Sequence, residues 1–129
     1  MIESMIKYLV VPTSSAIPAI ASRLYIGSLP DEVTYPCAIM YSVSRTEDMF
    51  ESNIKTERFQ FSCYAETLSS ATSIADSIKD KIKRYYGQPS TDYSYRIVNA
   101  WFDQMNFLYD DGVLKYVRIL DMMIRYTEV

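Results

Sequence analysis

The stretch at residues 49–87, MFESNIKTERFQFSCYAETLSSATSIADSIKDKIKRYYG, decides how this chain folds. Phe59, Phe61, Cys63 and Ala65 alternate with Arg58, Gln60, Ser62 and Tyr64. One face is therefore apolar and the other polar, the pattern of a half-buried strand over residues 54–65. The residues that follow change period. Leu68, Ala71, Ala75, Ile78, Ile82 and Tyr85 recur at three- and four-residue steps, which lines them along one stripe of a helix over 68–86 and packs that stripe on the Phe59/Phe61 face. Thr67 or Ser69 is suited to cap the helix, Gly87 to stop it, and Pro89 bars any continuation.

Working outward, a second strand pattern precedes this unit at residues 36–45, where Ile39, Tyr41 and Val43 alternate with Ala38, Met40 and Ser42. Two longer ones follow it. Residues 95–109 set Ile97, Asn99, Trp101, Asp103 and Met105 against Val98, Ala100, Phe102, Gln104 and Asn106, and residues 114–127 match them in length. Asp110-Asp111-Gly112 between them is the strongest hairpin signal in the chain. Near the start, Ile2, Met5, Ile6, Leu9 and Val10 have helical spacing that Pro12 ends or kinks. Thr13, Ser14 and Ser15 can then cap a second short helical segment through Ile17, Ile20 and Ala21. Residues 23–26 are a candidate short edge strand closed by Gly27 and Pro30. The expected fold class is α+β, a single domain over residues 1–129. Its sheet is four-stranded and mainly antiparallel, made of two long hairpins, with the long helix and the N-terminal helix on one face. The other face would carry Tyr64, Trp101 or Phe102, and methionines, more apolar matter than water normally meets.

The composition narrows function by what it omits. A length of 129 residues suits one domain that buries roughly 68% of its unfolded surface. No apolar run approaches the ~20 residues of a membrane-spanning helix, and the first residues lack the basic start and apolar centre of a signal peptide. Assembly in the cytoplasm without a membrane partner is the expectation. A net charge of −3 opposes nucleic-acid binding by counterion release. Lys79, Lys81, Lys83 and Arg84 cluster, but they share their helix with Asp76 and Asp80, which describes a solvated face. Cys37 and Cys63 both fall inside strand patterns, where thiols act as small buried hydrophobes.

Histidine is absent, which removes the usual base for a catalytic cysteine and the best transition-metal ligand. The adjacent carboxylate pairs, Asp31-Glu32 and Asp110-Asp111, lie in turns, where aspartate bonds its own backbone. The three glycines, Gly27, Gly87 and Gly112, stand too far apart to form a phosphate loop. The expectation is a chain that is not an enzyme and has no catalytic, metal or cofactor residues. Its twelve tyrosines suit protein interfaces, core packing or a base-stacking platform. The last of these needs interleaved basic residues, to which Tyr116, Arg118, Arg125 and Tyr126 come closest.

Residues 46–53 form a polar tip too long for a two-residue turn, so its flanking strands should project as a hairpin. Met49 and Phe50 are anomalous in this acidic loop. Either they fold back over a sheet edge or they dock on a neighbouring subunit. The candidate interface residues are accordingly Met49, Phe50, Glu51 and Ile54 at this tip, with Asp110 and Asp111 at the second hairpin turn.

One run of residues resembles a known family. Ser22-Arg23-Leu24-Tyr25-Ile26-Gly27-Ser28-Leu29-Pro30, followed by Tyr35-Pro36-Cys37-Ala38-Ile39-Met40-Tyr41, is similar to the opening of the tail terminator or tail completion proteins of long-tailed phages and prophages. The strand at residues 58–65, the helix at 71–82 and the final strand pair continue the likeness, which covers most of the chain. The N-terminal segment departs from it, because Pro12 and Pro18 interrupt a region that commonly runs as a helix in the family. The resemblance implies a small α+β virion subunit forming a ring, usually a hexamer, at the head-proximal end of the tail tube. Its partners would be copies of itself, the tail tube protein, and a head–tail connector or head-closure protein. DNA would pass through the ring without specific binding. Two other readings remain beside it: a head-closure or other neck protein of the same design, and a small-molecule-binding module whose pocket between helix and sheet is lined by Tyr64, Tyr85 and Trp101.

Overall fold

A computed structural model, describing residues 2–12, 16–47 and 53–129, places both hairpins in one sheet. The elements in chain order are α1 (Ile2–Val10), β1 (Leu24–Ile26), β2 (Cys37–Glu47), β3 (Ile54–Ala65), α2 (Leu68–Ile82), β4 (Tyr95–Asp110) and β5 (Lys115–Glu128). Among these residues the sheet has five strands in the order β1-β2-β3-β5-β4. It is mixed, because β1 pairs parallel to β2 while the other three pairs are antiparallel. This corrects the expected four-stranded, mainly antiparallel sheet. Residues 23–26 were legible only as a candidate edge. The long connection to β2 carries β1 in alongside it: Arg23 donates through Nε to the Pro36 carbonyl at 3.0 Å and through Nη2 to the Ala19 carbonyl at 3.1 Å.

The period-two pattern of β3 places Phe59, Phe61, Cys63 and Ala65 on the face that α2 covers. Pairing aligns them in rows with Met40, Leu120 and Met105, and with Ser42, Met122 and Phe102. On α2, Ala71, Ile74, Ala75, Ile78 and Ile82 are buried against this face, and α1 adds Ile2, Met5, Ile6 and Val10 to the same core. Thr67 caps α2 as the sequence suggests, its hydroxyl accepting from the Ser70 N–H at 3.1 Å.

The helix ends at Ile82, four residues short of the expected end. Arg84 takes a left-handed conformation (φ 63°), and its N–H donates to the Ala100 carbonyl at 2.9 Å. Gly87, at φ 117°, then exchanges both backbone hydrogen bonds with Ile97, a conformation that glycine reaches without a Cβ penalty. Residues 84–87 thus cover the outer edge of β4's first half instead of prolonging the helix. The expected second helical segment is, in its described part, a single turn in which Ala21 N–H donates to the Ile17 carbonyl.

Two register shifts in β4, at residues 97–99 and 102–104, also change the expected alternation. Each bulge lets two residues oppose one. Ile97, Ala100, Phe102, Met105, Phe107 and Tyr109 therefore lie toward the helices, and Asn99, Trp101, Gln104, Asn106 and Leu108 lie on the other face.

Candidate functional site

Of the sequence-derived interface residues, Met49, Phe50 and Glu51 lie outside the described residues. Ile54 opens β3, half-buried and paired with Thr127. Asp110 closes β4 opposite Lys115, and its Oδ1 accepts from the Gly112 N–H at 2.9 Å, the turn role expected of it. Asp111 is exposed in the same turn. Ile54 and Asp110 are at opposite ends of the sheet, roughly 40 Å apart at the ~3.3 Å rise of a strand residue. The fold does not gather them into one site.

Nor does it gather Tyr64, Tyr85 and Trp101. Tyr64 and Trp101 are on the face away from the helices, in different cross-strand rows, Tyr64 with Val117 and Trp101 with Met123. Tyr85 packs from the segment after α2 against the core. Among the described residues there is no enclosed pocket, no grouping of three or more metal-ligating side chains, and no helix long and apolar enough to cross a membrane.

What the fold does assemble is a surface along the second half of β4. Trp101, Phe102, Phe107, Leu108, Tyr109 and the turn residue Leu114 are all exposed, between 38% and 66%. Up to Ala100 the strand's outer edge is bonded to residues 84–87. From residue 101 to 110 that edge has no backbone partner among the described residues. The strand is held in place from within. On the helix-free face, Asp121 is nearly fully buried, accepting from Gln60 Nε2 at 3.0 Å and Gln104 Nε2 at 2.9 Å. Arg58 and Asp103 add an ion pair at 3.1 Å. On the other face Lys79 sits 4.8 Å from the Phe102 ring centroid, and Arg118 5.9 Å from that of Phe107. An apolar edge without a backbone partner among the described residues can add a strand.

A second polar cluster lies at the opposite corner. Glu57 is fully buried, and its Oε1 accepts from Arg45 Nε and from the Tyr126 hydroxyl, both at 2.7 Å. The Glu57 hydrogen bond and charge raise the Arg45 guanidinium above its ordinary range. Burial first, and then that same hydrogen bond, push the Tyr126 phenol up. Oε2 of Glu57 has no hydrogen-bond partner among the described residues. The cluster joins β2, β3 and β5 at one end of the sheet.

Ordinary alternation over residues 95–109 does not reveal the exposed edge of β4. A signal was present. Trp101-Phe102 and Phe107-Leu108-Tyr109 put large apolar side chains at consecutive positions, which one buried face cannot absorb.

No protein-family model matches the chain. No curated protein sequence matches it either. Among solved structures, its fold is similar to that of a chain from the virion of a native gene transfer agent (GTA) particle. The TM-score is 0.62 at 13% identity, over 83% of this chain and 80% of that one. At that identity the likeness is one of fold.

Proposed function

We propose that this chain is a structural virion protein that assembles with copies of itself into a ring at the head-proximal end of a phage or prophage tail tube. There it stops tube polymerisation and joins tail to head. The observation that carries this reading is the fold shared along four-fifths of both chains with a component of a GTA virion particle. The unpaired apolar edge of β4 supports it, because a subunit meant to stand alone would cover such a strand. The role assigned is assembly rather than catalysis, with the tail tube protein and a connector or head-closure protein as neighbours. DNA passes through the ring without specific binding, for which an acidic chain is suited.

Light scattering on the purified protein across a concentration series tests the ring. A closed oligomer of defined mass, hexameric as the resemblance implies, is the expected result, and a monomer at every concentration both alone and with tail tubes would overturn it. A neck protein sharing this fold separates from a terminator by what co-purifies with it, connector complexes in the one case and tail tubes in the other.

A further inference from the structure

The sheet has a second unpaired edge. On β2, β1 covers only Ala38, Ile39 and Met40, and the Gly27 N–H bonds the Met40 carbonyl. From residue 41 to 47 the outer edge of β2 has no backbone partner among the described residues. This edge and that of β4 are on opposite sides of the sheet. We infer that they are the two halves of one interface: residues 41–47 of one copy pair within residues 101–110 of the next. The inference rests on the proposed assembly role for its occupant, a second copy of this chain.

Three properties favour it. The first is direction. β2, β3, β5 and β4 alternate, so β4 runs opposite to β2. A neighbouring copy set beside β4 in the same orientation continues the sheet with an antiparallel pair, the more stable kind. The second is area. Trp101, Phe102, Phe107, Leu108 and Tyr109, about half exposed at ~200 Å² each and divided between the two faces of the strand, put on the order of 500 Å² of largely apolar surface beside this edge, a large part of the ~800 Å² that each partner buries in a stable interface. The third is closure. Pairing β4 with β4 about a two-fold axis would leave every β2 edge open, whereas pairing β4 with β2 satisfies both edges by one repeated contact. Such a head-to-tail contact makes a ring when its rotation closes.

The two edges are not level. Ser44 shares a row with Arg58, Met123 and Trp101, near the start of the free β4 edge, whose middle lies about four residues further along. Full pairing therefore slides each copy by roughly 13 Å along the strands. Closed barrels absorb this stagger by tilting their strands.

Cysteine cross-linking reads the pairing directly. Ser44 and Asn106 are exposed on the same, helix-free face, and the native Cys37 and Cys63 are buried. Protein carrying only S44C is mixed with protein carrying only N106C, Q104C or L108C and mildly oxidised. The partial scan is needed because a disulfide forms only at Cα separations below about 7 Å. Folding of each variant is checked by circular dichroism. The expected result is a covalent dimer between S44C and one of the three β4 variants, formed by neither protein alone. A doubly substituted chain should then give a ladder whose top rung counts the copies in the ring. Three results would overturn the inference. An N106C, Q104C or L108C protein that cross-links to itself without S44C indicates two-fold β4 pairing. Oligomers that never cross-link through either edge leave the assembly role standing but move its interface elsewhere. A strict monomer up to about 1 mM, both alone and with tail tubes, removes self-association through these edges.

Discussion

Tyr126→Phe isolates the buried cluster at the β2–β3 end. The substitution removes one oxygen and leaves the ring, which stays packed edge-on against Tyr95 at a centroid distance of 5.6 Å, so no cavity term arises. What is lost is a 2.7 Å hydrogen bond to a carboxylate with no exposure of its own. Hydrogen bonds to charged groups contribute about 1.5–3 kcal/mol. Among the described residues Glu57 then keeps only Arg45, whose side chain is half exposed and partly screened by water. The expected loss at pH 7 is therefore about 2 kcal/mol in urea unfolding, with an unchanged m-value. The pH dependence gives a second readout. The folded-state pKa of Tyr126 is raised above the ordinary 10.0, so its stabilising contribution is fully present below pH 10. It is lost as pH rises beyond that, because the unfolded chain then releases a proton the folded one retains. At one pH unit above the unfolded pKa about 1.4 kcal/mol of the contribution is gone, and the gap between wild type and Tyr126→Phe should narrow to below about 1 kcal/mol near pH 11. A gap smaller than about 0.5 kcal/mol at pH 7, or one that does not change with pH, would refute the reasoning.

Ile78, fully buried on α2, should cost about 2–5 kcal/mol as Ile78→Ala in the same urea assay. Both cysteines should resist a thiol reagent in the native protein at pH 8 and react on unfolding, since burial pushes the Cys37 thiol up to about 11 and raises Cys63 further. Fast labelling of either before unfolding would contradict their burial. Phe50→Asp should weaken oligomer formation or tail joining, measured by light scattering and by tail-to-head joining, while circular dichroism stays native. Normal rings and normal joining would remove the tip from the interface.

Local pattern determined much of this protein. Residues 54–65 form β3 with the bounds their alternation indicates, Thr67 is the cap its side chain suggests, and the apolar stripe of α2 meets Phe59 and Phe61. These features depend on neighbours a few positions away, and strand and helix periods are written at that range. The tertiary structure decided what depends on distant partners. The parallel β1–β2 pair needs a long connection whose path no period encodes. The end of α2 at Ile82 is set by Ala100, which takes the Arg84 N–H from across the sheet. The first bulge of β4 moves Phe102 to the helix side and Trp101 to the other, and the second restores the original phase from Gln104 onward, where simple alternation had no means of counting the extra residues. The candidate surface belongs to this second group. An unpaired edge is a property of strand order, and the order β1-β2-β3-β5-β4, with β5 inside β4, exists only once residues far apart in the chain have paired.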